Sequence, residues 1–127
     1  MLISKNQLHS FNFMRHLVKK KFGKGPAHRT KLLRALGSSL FLYEKIQTSL
    51  QNGRAVKSYA EKAITSAKTG TLHARRQLIS KLSPMAAKKA IEVLGPKFKD
   101  RKGGYVRMVK LTSPKSGNAK VLLEFVE

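Results

Sequence analysis

Apolar positions recur at helical spacing in four stretches of this chain and alternate with polar ones in three others. Leu32, Leu36, Leu40 and Tyr43 lie on one stripe, with Arg29 and Lys31 off it, which predicts a helix from Pro26 to about Tyr43. Gly25 serves as its N-cap and Pro26 as its first residue. Gly37 falls inside it, and both a close backbone approach and simple tolerance account for that glycine. Glu44 to Leu50 alternates and predicts a short strand. Asn52 is then a candidate N-cap for a helix whose stripe is Val56, Tyr59, Ala60, Ala63, Ile64 and Ala67, closed by Gly70. Thr71 caps a third helix, with Leu72, Leu78, Ile79 and Leu82 as its apolar members. Ser83-Pro84 opens a fourth, carrying Met85, Ala87, Ile91 and Leu94, which Gly95-Pro96 should stop. After a loop of residues 97–104, Tyr105 to Leu111 and Lys120 to Val126 read as strands around the turn composition of residues 113–118. The order helix, strand, three helices, two strands predicts an α+β fold with helices packed on a small mixed three-stranded sheet.

Length permits one such domain: 127 residues bury roughly 60–70% of the unfolded surface. The predicted organisation is an extension at residues 1–13, a basic arm at 14–25 and one globular domain at 26–127. The extension has a single lysine and no acid. It reads as a disordered segment, as residues upstream of a true start at Met14, or as an acid-poor transit peptide.

Charge changes the picture most. Twenty-seven lysines and arginines against six acids leave +21, a self-repulsion that works against compaction. A polyanionic partner is the physical counterpart, nucleic acid ahead of an anionic membrane surface. Eight of the cations fall between Met14 and Arg34, and no acid precedes Glu44. The arm's glycines and proline interrupt any helix there, so it should order only on its partner.

Catalytic chemistry finds little support. The chain lacks cysteine, which excludes disulfides and thiolate metal sites. His9, His16, His28 and His73 are scattered, Asp100 is the one aspartate, and no histidine or acid pair has metal-ligand spacing. Gly23-Lys24-Gly25 lacks the spacing of a phosphate loop. No cofactor, no membrane and no small-molecule substrate is expected.

Three basic clusters carry the functional reading. The first is the arm, with Arg15, His16, Lys19, Lys20, Lys21 and Lys24. The second is the helix start, with His28, Arg29, Lys31 and Arg34. The third joins Arg75 and Arg76 to Arg101, Lys102 and Arg107. Lysine and arginine on phosphate release condensed counterions and give salt-sensitive affinity, and arginine also grips phosphate bidentately. Gly103 and Gly104 would let backbone N–H groups approach a sugar-phosphate chain. Tyr105 is either a base-stacking ring or an ordinary strand aromatic.

The residues also resemble a known family. Met14-Arg15-His16, then His28-Arg29 before a leucine helix, followed by Glu44-Lys45-Ile46-Gln47-Thr48 and Leu72-His73-Ala74-Arg75-Arg76-Gln77, are similar to the bacterial-type large-subunit ribosomal protein seventeen family. Leu94-Gly95-Pro96-Lys97-Phe98 with Asp100-Arg101-Lys102-Gly103-Gly104-Tyr105-Val106-Arg107 carries the resemblance furthest. The arm is less arginine-rich than the family's, Gly25-Pro26 stands where a serine-rich cap is usual, and residues 1–13 have no counterpart. The resemblance implies an α+β fold, no enzymatic activity, and a structural role on the side of the large subunit where the nascent-chain tunnel opens. It implies large-subunit ribosomal RNA and neighbouring ribosomal proteins as partners, in a cytoplasmic or alternatively an organellar ribosome. The competing expectation is a freestanding nucleic-acid-binding or nucleoid-associated protein using the same charge.

Overall fold

The computed structural model describes residues 25–111 and 119–127. The extension, the expected arm up to residue 24 and the turn at 113–118 lie outside the described residues. Helix α1 spans Pro26–Tyr43 and starts without a side-chain cap, on the fixed φ of Pro26. Its buried face is Gly37, Ser38, Leu40 and Phe41. Tyr43, expected on that stripe, is exposed instead. The helix ends because Glu44 turns left-handed at φ 64, donating its N–H to the Leu40 carbonyl at 2.8 Å. Lys89 holds this strained corner from outside, 3.0 Å from the Glu44 carboxylate and 2.9 Å from the Leu42 carbonyl.

Strand β1 (Lys45–Ser49) runs straight into α2 (Leu50–Thr69). The N-cap of α2 is Ser49, not Asn52. Its hydroxyl accepts from the Asn52 N–H at 3.3 Å, so the helix begins as soon as the strand's last side chain can close the first turn. The predicted stripe of α2 is buried as Val56, Ala60, Ala63, Ile64 and Ala67, with Gly53 added. A Cβ on Gly53 would sit 2.5 Å from Val121 Cγ2, so α2 crosses the sheet closer there than any side chain allows. Gly37 makes its close approach to a side chain rather than to backbone. Its Cβ would stand 3.1 Å from the Tyr59 ring.

Thr71 caps α3 (Leu72–Lys81) and Ser83 caps α4 (Pro84–Lys89), as predicted. Two apolar expectations fail here. Met85 is 74% exposed, and on α3 only Ala74 and Leu78 are buried while Leu72 and Ile79 face outward. Helix α3 is short and touches the body along one narrow seam, so a stripe counted from sequence overstates the buried face.

Gly95-Pro96 does not stop the fourth helix. After α4 the backbone widens into a π-helical turn, Ala90–Leu94, and resumes as α5, Gly95–Lys97. Gly95 donates to the Ala90 carbonyl, five residues back. This restarts the helix, so Pro96 falls in a first-turn position where its missing N–H costs nothing. Gly95 is needed there because a Cβ would lie 3.2 Å from the Ala67 carbonyl of α2.

Strands β2 (Val106–Lys110) and β3 (Lys120–Phe125) complete a sheet of order β1-β3-β2. The fold is α+β as expected, but the sheet is antiparallel throughout rather than mixed. Crossing through the helices returns β2 parallel to β1, and β3 inserts between them antiparallel to both. No parallel neighbours remain. Register pairs Lys45 and Arg107 with Glu124 from opposite sides. Beneath the sheet lies an aromatic core. Ring centroids of Phe41 and Phe125 are 5.2 Å apart, those of Phe98 and Tyr105 5.3 Å, and those of Phe98 and Phe125 6.1 Å.

Candidate nucleic-acid interface

The acids are few, and the structure spends two of them internally. Glu44 is bound to Lys89, and Glu124 is clasped by Arg107 from β2 and by Lys45 from β1. Arg107 Nε donates to Glu124 Oε1 at 2.8 Å and Nη2 donates to the same oxygen. Lys45 stands 3.5 Å from the other oxygen. These donors, Arg107 foremost, hold the Glu124 carboxyl below the usual carboxylate range, against the opposing pull of desolvation. The Lys89 hydrogen bond does the same for Glu44.

The predicted site residues separate into groups. His28, Lys31 and Arg34 are exposed on the first half of α1 and Arg29 is half-buried. Arg34 Nη2 donates to the Leu82 carbonyl at 3.3 Å, which seats this group beside the α3–α4 corner. Arg75 and Arg76 are exposed on α3, a helix with no acid along its length. The third group is the loop Arg101-Lys102-Gly103-Gly104, also exposed. Arg75 and this loop border one corner, the last turn of α2. Arg75 lines a hollow with Ser66 and Ala67, while Lys68 of the same turn donates to the Arg101 carbonyl. Helix α3 runs from that corner toward the Arg34 group, over about 15 Å for ten residues.

Two sequence expectations change. Tyr105 is 2% exposed, its ring packed on Phe98, so it is a core aromatic and no base can stack on it. Its hydroxyl donates to the Arg101 carbonyl at 3.0 Å and accepts from Lys68 at 2.9 Å. Arg107 retains 63% of its side-chain exposure but is committed to Glu124, whose side chain is only 10% exposed. Charge counting cannot see that partner, which lies 17 residues away across a sheet. Gly104 has φ +65, a left-handed conformation that favours glycine, and nothing lies within 4 Å of where its Cβ would be. Arg101 Nε donates to the Gly103 carbonyl at 3.3 Å and curls the loop.

Lys68 holds the Arg101 loop against α2, a contact that the sequence pattern does not show. It stands one place beyond Ala67 at the end of an apolar stripe, and nothing in the local pattern links it to residue 101. Among the described residues no group of three or more histidines and acids is placed to hold a metal, and no helix is long and apolar enough to cross a membrane.

Among the described residues, the fold and its cationic corners define a small basic α+β protein whose polar groups hold loops in place. Residues 32–126 match the family model described as Ribosomal protein L17. A Hydrogenobaculum protein named large ribosomal subunit protein bL17 is 43% identical over 118 residues, covering 90% of this chain and 100% of its own length. Proteins of the same name from Thermodesulfovibrio yellowstonii and Endomicrobium trichonymphae are 41% and 39% identical, covering 90% and 81% of this chain and 88% and 89% of their own. The chain belongs to the ribosomal protein L17 family, a family of structural ribosomal components and not of enzymes.

Proposed function

We propose that this protein binds and stabilises folded large-subunit ribosomal RNA, with neighbouring ribosomal proteins beside it, in the ribosome of a bacterial cytoplasm. The observation that carries the reading is the acid-free exposed surface of α3, with the Arg101–Gly104 loop at one end and the α1 cations at the other. Arg29, Lys31, Arg34, Arg75, Arg76, Arg101 and Lys102 contact phosphate in this reading, and Gly103 and Gly104 admit the sugar-phosphate chain close to backbone. The arm residues Arg15, His16, Lys19, Lys20, Lys21 and Lys24 join them on charge alone. Arg107 acts from behind, as an ion-pair partner that shapes the sheet surface.

The test is sedimentation and salt-dependent binding. The protein should travel with large subunits through a sucrose gradient in moderate salt. Its affinity for large-subunit RNA should fall log-linearly with salt, by roughly 0.7–0.9 decades per decade for each phosphate neutralised. Equal affinity for random duplex or polyphosphate, with absence from the particles, would favour a freestanding nucleic-acid binder and overturn the proposal.

A further inference from the structure

At the corner where α2 hands over to α3 there is a hollow of about 260 Å³ lined by both apolar and polar side chains. Its lining is mixed, with Ala67 from α2, Leu72 from α3 and Ile91 of the π-helical turn as apolar members and polar atoms making up slightly more than half of its surface. Its polar and cationic members are Ser66, Thr71 and Arg75. No acid lines it. Leu72 is 63% exposed, an apolar side chain left facing solvent on a helix of arginines. The π-helical turn that presents Ile91 is a backbone irregularity of the kind that gathers at functional sites.

The volume falls just short of the roughly 300–1,000 Å³ of pockets that enclose whole small ligands, so it suits one flat ring system. A small hollow that joins apolar side chains to hydroxyls and an arginine is chemistry for an unpaired base, whose faces are apolar and whose edges are polar. The base leaves water for the Leu72–Ile91 wall, while the planar guanidinium of Arg75 stacks on it or takes its phosphate. A paired duplex offers no such base.

We infer that this hollow receives a single unpaired nucleotide of the bound RNA, an inference that rests on the RNA-binding reading above. The pocket therefore selects a bulge or loop, whereas the surrounding cations serve any phosphate.

Binding of the full-length protein is measured at fixed moderate salt to an RNA hairpin bearing one bulged purine and to the same hairpin without it. The wild type should prefer the bulged hairpin roughly tenfold, the scale of one sequestered base. Ser66→Leu, which plugs the hollow, and Leu72→Ser, which removes an exposed part of its wall, should both erase that preference. Leu72 lies outside the core, so its variant keeps the fold even where the plug does not. Arg76→Ala should weaken both hairpins equally. Tight but equal binding of the two hairpins by the wild type would overturn the pocket and leave RNA binding standing. A preference that survives both substitutions would also overturn it. Variants that keep the preference yet fall off the large subunit would assign the hollow to a protein side chain instead. Failure to bind either hairpin more tightly than polyphosphate would overturn the underlying RNA reading itself.

Discussion

Lys68 and Tyr105 meet at 2.9 Å over a shared acceptor, the carbonyl of Arg101, to which each also donates. The lysine ammonium stands 5.1 Å from the centroid of the tyrosine ring. Through this contact the end of α2 fixes the only stretch of the loop that carries Arg101, Lys102 and two adjacent glycines. The buried ring anchors the loop to the core, and the lysine ties the loop's backbone to a helix.

Lys68→Met should therefore loosen the loop more than the body. A loss of about 1 kcal/mol in global stability is expected, on the scale of the hydrogen bonds removed. Hydrogen exchange at residues 101–105 should rise, and RNA affinity should drop more than the loss of one charge explains. Urea melts and exchange mass spectrometry, with Lys68→Arg as the variant that retains the donor, check this.

The glycines of α1 and α2 should respond unequally to alanine. At Gly53 a methyl group meets Val121 at 2.5 Å, and overpacking of about 1–3 kcal/mol outweighs the helix-propensity gain of about 1. At Gly37 the methyl meets the edge of the Tyr59 ring at 3.1 Å, so gain and cost should nearly cancel, to within about 0.5 kcal/mol. Thermal midpoints of the two variants separate these outcomes.

Phe98→Ala should be among the most damaging single changes, at about 3–5 kcal/mol, because that ring touches both Tyr105 and Phe125. The residue follows α5 in what the sequence presents as a loop, yet it is 2% exposed. Denaturant midpoints and near-ultraviolet circular dichroism report the loss.

The pH dependence should have a definite sign. Arg107 and Lys89 lower the folded-state pKa values of Glu124 and Glu44 from the ordinary 4.5. Their contribution is thus complete above that value and is lost as pH falls through the lower folded values. Glu124→Gln should be less stable than wild type at pH 7 and show a shallower decline below pH 4.5. At the alkaline end, burial raises the Tyr59 pKa above 10.0, so its contribution is lost as pH rises beyond that value. Urea midpoints across the range, with Tyr59→Phe as the alkaline control, test both arms.

Much of this architecture is written locally. Thr71 and Ser83 are legible as caps because a hydroxyl needs only an N–H three residues on, and the α2 stripe is legible because its spacing is intrahelical. The charge excess and its concentration before Glu44 are likewise properties of the chain as written. Tertiary structure decided the rest, wherever the deciding atom is remote in sequence. Tyr105 became core because Phe98 packs on its ring and Lys68 and the Arg101 carbonyl hold its hydroxyl, and Arg107 became an ion-pair partner because β3 inserts between β1 and β2. Pro96 stayed within a helix because a π-helical turn restarted the hydrogen-bond register. Periodicity and composition report which residues can be buried or charged; only the packed chain decides which neighbour each one meets.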